Sequence, residues 1–241
     1  MTMTLYEKPV DPSWQPLLQQ AWEHIDPHYK ETLCKKTDWL PGPTHLFNAF
    51  SLPLPKVRYI LFGESPYPRP LSANGYAFWD GKVTSLWSEK GLSKTVNRAT
   101  SLRNIMKMLL VADNLLSPDN TTQEAIAAIN KNHLVQTATD LFSHFLEAGF
   151  LLLNTTPVLS ERPVRQEARY WYPFVSQLLT SLSEQASHIE LILFGKVAET
   201  INTIAASHTF KCLYAEHPYN LSFINNPQVL DFFRPLHLLQ R

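Results

Sequence analysis

Four short stretches of this chain are apolar at every position or nearly so, and none has helical spacing. They are Val57–Phe62, Phe150–Leu153, Ile189–Phe194 and Cys212–Ala215. Runs of this length, bounded by breakers, read as strands buried on both faces. The breakers are Gly63, Asn154, Gly195 and the Glu216-His217-Pro218 turn. Between the strands the apolar positions recur at three and four residues. Trp14, Leu17, Leu18, Trp22 and Ile25 form one such stripe, with Asp11 and Ser13 as caps. Tyr29 to Lys35 forms a second, and Ile105, Met108, Leu109 and Val111 a third, opened by Thr100 or Ser101. Leu141 to Glu147, stopped by Gly149, and Tyr172 to Leu182 complete the set. Strands alternating with helices predict an α/β fold: a three-layer α/β/α arrangement around a central four-stranded parallel sheet with right-handed crossovers. Such a sheet carries Gly63, Asn154, Gly195 and His217 to one edge, where open α/β sheets place their ligands.

The rest of the chain fills in around this frame. Residues 38–43 (DWLPGP) form a turn of breakers, and HLFNAF at 45–50 a packed helical turn. Residues 80–98 are polar and read as an extended connection. Residues 117–134 (SPDNTTQEAIAAINKNHL) read as an added helix with its own cap, within an insertion around 112–140. The C-terminal FINNPQVLDFFRPLHLL is apolar enough to suggest a protein-interaction surface. A length of 241 residues suits one domain, 1–241. Formal net charge is zero, so no global field draws the chain to nucleic acid or membrane, although a local basic groove stays open. Two cysteines, Cys34 and Cys212, make no framework and imply reduced thiols in a cytoplasmic protein. The N-terminus shows no export signal, and no stretch approaches a membrane span. No H-E-x-x-H or C-x-x-C spacing indicates a metal, no cofactor is expected, and the chain is expected to act as a monomer.

One stretch carries candidate chemistry. In VRYILFGESPYPRPLSANGYAF, residues 57–78, the first strand runs into a loop stiffened by Pro66, Pro68 and Pro70 and closed by Gly75, Tyr76 and Phe78. G-E-S-P-Y followed by G-Y-A-F resembles the water-activating loop of the family-1 uracil-DNA glycosylases, G-Q-D-P-Y-H-G-P and G-L-A-F. Gly63, Pro66, Tyr67, Pro70, Ala73, Gly75, Ala77 and Phe78 match without a gap. Further segments resemble the family in order: HLFNAF, SLRN at 101–104, LLLNTTPVLS at 151–160, LILFGKVAE at 191–199 and HPYNLS at 217–222. The resemblance implies the fold already read from the pattern. It also implies a DNA partner, single- or double-stranded, whose uracil or related modified base is flipped into a pocket.

By that resemblance Phe78 stacks on the base, Asn154 reads its edge, and Tyr67 excludes a methyl group at C5. His217 bonds the O2 of the departing base, Leu221 wedges into the stack, and Ser101 and Ser222 touch phosphates. Read without the motif, Phe78 and Tyr67 are packing aromatics, Asn154 is a turn residue, Ser101 a helix cap and His217 a structural histidine. Arg103, Lys107, Arg162, Arg165 and Lys196 are candidate DNA contacts whose default is a solvated charge. The family's aspartate falls on Ser65 and its glutamine on Glu64. Serine can place a water but is not a base. Glu64 brings a carboxylate one residue earlier, and on extended backbone neighbours face opposite ways. Ser65, Glu64 and His217 are therefore the candidate catalytic group of a glycosylase with altered water activation. The alternative is a homologue that binds DNA or a base without cleaving it.

Overall fold

The computed structural model describes residues 10–241. Residues 1–9, on which most of the export-signal reading rests, lie outside the described residues. In chain order the helices are α1 (Gln15–Glu23), α2 (Pro27–Lys35), α3 (Lys94–Arg98), α4 (Thr100–Ala112), α5 (Gln123–Ala128), α6 (Ala138–Glu147), α7 (Val164–Gln185), α8 (Lys196–Asn202) and α9 (Pro227–Phe233). The strands are β1 (Tyr59–Gly63), β2 (Trp87–Ser88), β3 (Gly91–Leu92), β4 (Phe150–Asn154), β5 (Glu190–Phe194) and β6 (Lys211–Ala215). The four-stranded parallel sheet is present, in the order β4-β1-β5-β6. Central β1 pairs in parallel with β4, Tyr59 opposite Phe150 and Gly63 opposite Asn154. On its other side it pairs with β5, Tyr59 opposite Glu190 and Phe62 opposite Leu193.

The chain forms two compact units. The first comprises the described residues through Ala77 together with Gly149–Cys212. Its core joins one face of the sheet (Ile60, Phe62, Leu151, Leu153, Leu191 and Leu193) to the apolar stripes of α1 and α7. Leu61, Leu152 and Ile192, which point the other way along the pleat, are buried as well. Burial on both faces is why these strands read as unbroken apolar runs. β1 begins two residues later than expected because Val57 ends a 3-10 turn, Leu54–Lys56.

Helix α7 is longer than the Tyr172–Leu182 stripe, because its first turns are polar outside and carry one buried acid. Glu167 is fully buried and accepts hydrogen bonds from the Tyr29 and Ser160 hydroxyls. The Arg162 guanidinium sits 3.3 Å from it and lies over the Tyr29 and Tyr170 rings. Trp171 Nε1 donates to the Tyr29 hydroxyl at 2.9 Å. Burial first, and then the Glu167 carboxylate, push the Tyr29 hydroxyl's pKa far above its ordinary value. Arg162 is thus engaged in anchoring α7 to α2.

The second unit is Phe78–Ala148 with Leu213–Arg241. The extended connection expected at 80–98 is instead a small hairpin, β2 against β3, followed by α3. Two-residue strands are too short to leave a period in the sequence. Ser93 caps α3 by accepting the Val96 N–H at 3.2 Å. Within the 117–134 insertion only Gln123–Ala128 is helical, capped by Thr122. Gln123 accepts the Leu92 N–H at 2.8 Å and donates to Asn97 at 3.0 Å, so the insertion ties the hairpin to α3. The apolar C-terminal residues are core: Phe223, Ile224, Val229, Leu230, Phe233, Leu238 and Leu239 are all buried. That region therefore offers no apolar docking face. Among the described residues no helix is long and apolar enough to cross a membrane.

Tyr29→Phe removes the hydroxyl that both donates to Glu167 and accepts from Trp171 while keeping the ring. Leaving a buried carboxylate short of a donor costs about 1–3 kcal/mol, or more because the acceptor is charged. The urea midpoint should fall accordingly with an unchanged slope; a midpoint equal to that of the parent protein would show that the network contributes nothing.

Candidate functional site

The first unit builds its part of the site at the C-terminal ends of β1 and β4. Gly63 and Asn154 are register partners there. The parallel ladder continues past the strands: Thr155 N–H donates to Gly63 C=O and Thr156 N–H to Glu64 C=O, each at 2.9 Å. The loop after β1 then returns, and Ala77 N–H donates to Leu152 C=O at 3.0 Å. Gly63 lies between them with no room for a side chain. A β carbon there would stand 2.5 Å from Asn154 Oδ1 and 2.8 Å from the Ala77 β carbon. The Asn154 side chain, itself buried, therefore lies across the glycine.

The loop is held from behind by the HLFNAF segment. Asn48 Nδ2 donates to Asn74 C=O at 2.9 Å, and Ser51 and Tyr76 share a hydroxyl hydrogen bond of 2.9 Å. Gly75, at φ +87°, passes so close to His45 that a β carbon would meet its carbonyl oxygen at 2.0 Å. The packed-turn reading of this segment stands, with the added task of shaping the loop. Ser65 and Tyr67 are half-buried on that loop, and Glu64 is exposed. Glu64 lines a cleft of about 440 Å³ with Thr155, Thr156, Arg165, Tyr172 and Lys196. Of the candidate basic residues, Arg165 and Lys196 thus share a wall with Glu64.

The second unit holds the remaining candidates. Phe78 is a bulky residue at φ +62°, a left-handed conformation that costs such a side chain about 1–3 kcal/mol. Its ring centroid is 6.1 Å from that of His217, with the planes 33° apart. His217 Nδ1 accepts the Tyr219 N–H at 3.1 Å. In the neutral imidazole that leaves the hydrogen on Nε2, which becomes a donor. The turn is closed by Asn220 N–H donating to His217 C=O at 2.9 Å, with Pro218 fixing its second position.

Leu221, 69 % exposed, and Ser222 follow on the same loop. Burial works against charge on Glu216, but hydrogen bonds from the Ser222 hydroxyl, its own backbone and the Asn226 amide outweigh it and hold the Glu216 pKa below its ordinary value. Ser101 is the second residue of α4, not its cap; the cap position is Ala99, which has no side-chain acceptor. Arg103 donates to Asn97 C=O and Asn104 Oδ1. Burial, and then Arg103, lower the Lys107 pKa.

The sequence reading missed Asn104. It is fully buried on α4, and its Nδ2 donates to Pro218 C=O at 2.7 Å, with the Tyr219 and Asn220 carbonyls at 3.4 Å. A polar residue on the apolar face of LRNIMKMLL was the available signal. Among the described residues no group of three His, Cys, Asp or Glu side chains could hold a metal.

Comparison with known proteins sets this arrangement in context. No family model matches the chain. A uracil-DNA glycosylase of Idiomarina loihiensis is 25 % identical over 210 residues, covering 86 % of this chain and 81 % of the relative. One of Pseudomonas entomophila is 27 % identical over 221 residues, covering 88 % and 82 %. Among solved structures, the wild-type UNG of Nitratifractor salsuginis superposes with a TM-score of 0.92 at 41 % identity, covering 96 % of this chain and 93 % of its own. Mimivirus uracil-DNA glycosylase, at 16 % identity and a TM-score of 0.57 over 86 % of this chain and 68 % of its own, shares the fold. With these motifs in order along the chain and that degree of identity over nearly its whole length, the protein belongs to the uracil-DNA glycosylase superfamily.

Proposed function

We propose that this chain is a DNA glycosylase that hydrolyses the N-glycosidic bond of uracil in DNA, the opening step of base excision repair, and that it acts as a monomer. The observation that carries the reading is the Phe78–His217 pair. A ring held on strained backbone beside an imidazole whose Nε2 bears the hydrogen suits a planar base that leaves with negative charge on O2. The names of its relatives as uracil-DNA glycosylases support the same substrate.

In this reading Phe78 stacks on the flipped base and His217 Nε2–H donates to its O2. Asn154 offers an amide, one donor and one acceptor, to the N3–H and O4 edge of uracil. Its burial at the end of β4, beside Gly63, supports this. Tyr67 stands beside C5 and disfavours the methyl group of thymine. Leu221 fills the gap in the base stack, and Ser101 and Ser222 meet phosphates. Breaking the bond passes through an oxocarbenium-like sugar. Ser65 positions the attacking water. Glu64, whose carboxylate opens on a cleft, supplies the negative charge that the family places one residue later.

Uracil release from a single-stranded oligonucleotide, at enzyme in excess, tests the assignment. The wild-type protein should release the base, Asn154→Ala should lose release, and His217→Ala should slow it by about 10²–10³-fold. No release by the wild-type protein, with DNA still bound, would favour the reading of a homologue that binds without cleaving, to which the serine at 65 lends weight. A separate measurement addresses the water. Glu64→Gln should slow single-turnover cleavage by about 10²–10⁴-fold with DNA affinity unchanged. Equal rates for Glu64→Gln and the parent would remove Glu64 from the chemistry.

A further inference from the structure

We propose that Tyr219 is a second base-stacking residue, whose ring takes an unpaired nucleobase next to the nucleotide being processed. The proposal rests on the DNA-glycosylase reading and adds a contact to it. Among the described residues the exposed large hydrophobic side chains are Leu71, Tyr214, Tyr219 and Leu221. Two of these four stand on one short loop, Tyr219 at 68 % and Leu221 at 69 % exposure. Among the described residues the Tyr219 ring makes no aromatic contact and its hydroxyl no hydrogen bond. Only its backbone is engaged.

That backbone is held with unusual firmness for an exposed loop. Asn104, buried and with its Oδ1 occupied by Arg103, directs its amide hydrogens at the carbonyls of Pro218, Tyr219 and Asn220. The Tyr219 N–H is fixed by His217 Nδ1, and Phe223 and Ile224 bury the next turn. An aromatic ring projecting from a clamped backbone loses little conformational freedom when it stacks, which favours binding. The occupant follows from what the same backbone holds. Tyr219's amide orients the imidazole assigned to the departing base, so its ring stands two residues from base chemistry. One ring and one leucine among polar neighbours are too small for a stable protein interface of roughly 800 Å² per partner. A nucleobase, with a π face of matching size, stacks on such a ring in a sequence-tolerant way.

The test uses a single-stranded oligonucleotide carrying a stable tetrahydrofuran abasic analogue flanked by 2-aminopurine. It contains no base to excise. Binding is followed by anisotropy at fixed salt, and stacking by quenching of the 2-aminopurine. Tyr219→Ala should weaken binding roughly 5- to 150-fold, the range for losing one base–aromatic stack, and abolish the quenching. Tyr219→Phe and Tyr219→Trp should retain both, Tyr214→Ala should match the wild type, and thermal unfolding should be unchanged throughout. Affinity and quenching unaltered in Tyr219→Ala would overturn the proposal, as would equal losses in Tyr219→Ala and Tyr219→Phe, which would assign the effect to the hydroxyl. Because the probe has no uracil, a protein that stacks on it yet releases no uracil loses only the excision reading. A wild-type protein that does not bind the probe overturns the stacking proposal directly.

Discussion

At the end of β1 the backbone, a returning loop and a neighbouring strand approach so closely that only hydrogen fits on the α carbon of Gly63. A β carbon would lie 2.5 Å from Asn154 Oδ1 and 2.8 Å from the Ala77 β carbon. Much of the first unit's site follows from this approach. The parallel register sets Asn154 opposite Gly63, and the ladder continues to Thr155 and Thr156. The hydrogen bond from Ala77 to Leu152 brings the far end of the loop back to β4. A proline-rich loop pinned at both ends needs support in its middle, and Asn48, Ser51 and the close pass of Gly75 to His45 supply it. In the proposed reading the buried Asn154 amide beside this backbone is the group that meets the base edge.

In the second unit the organising group is also a buried amide. Asn104 donates towards three successive backbone carbonyls, none of which belongs to a helix or strand. A loop normally satisfies such carbonyls with water and stays mobile. Here the protein satisfies them, and the turn that carries His217 is fixed. The tautomer of His217 follows, because the backbone N–H of Tyr219 occupies Nδ1. The same three residues, 217 to 219, thus determine which nitrogen of the imidazole can donate and where an exposed ring stands.

Elements that bury both faces were legible from sequence. The four strands were placed within two residues, β1, β4 and β5 because an unbroken apolar run is what fits between two covered faces; β6, expected to be buried as well, is an edge strand with no buried residue, and only its short apolar run marked it. The proline-rich loop was legible for a different reason: breakers announce backbone restriction directly. What escaped were features whose cause lies far away in sequence. The β2–β3 hairpin is two residues per strand and is stabilised by Gln123 from the insertion. The apolar C-terminus looked like an exposed surface until its partners, α4 and α6 among them, were seen to bury it. Asn104 and Glu167 each interrupt an apolar helix face with a polar group, and each organises its surroundings from within the core. Such an interruption signals a buried polar network, but its partner, 114 residues away for Asn104 and 138 for Glu167, is set by the tertiary fold.

In the proposed reading the serine at position 65 separates two contributions, stabilising the leaving base and activating the water. Stabilising the leaving base and activating the water act on opposite sides of the sugar, so one can change while the other is kept. In the proposed reading the base side rests on backbone restraints: a glycine with no room, a strained phenylalanine and a histidine whose Nδ1 is engaged by the backbone. The residues proposed for the water, Ser65 and Glu64, are half-buried and exposed on a loop, where exchange has a small structural cost. General-base assistance contributes about 10²–10⁴-fold, a modest part of the acceleration enzymes achieve. On the proposed reading, a carboxylate moved one residue along a surface loop costs such a chain less than a loosened pocket, and that asymmetry would account for a departure confined to the water side.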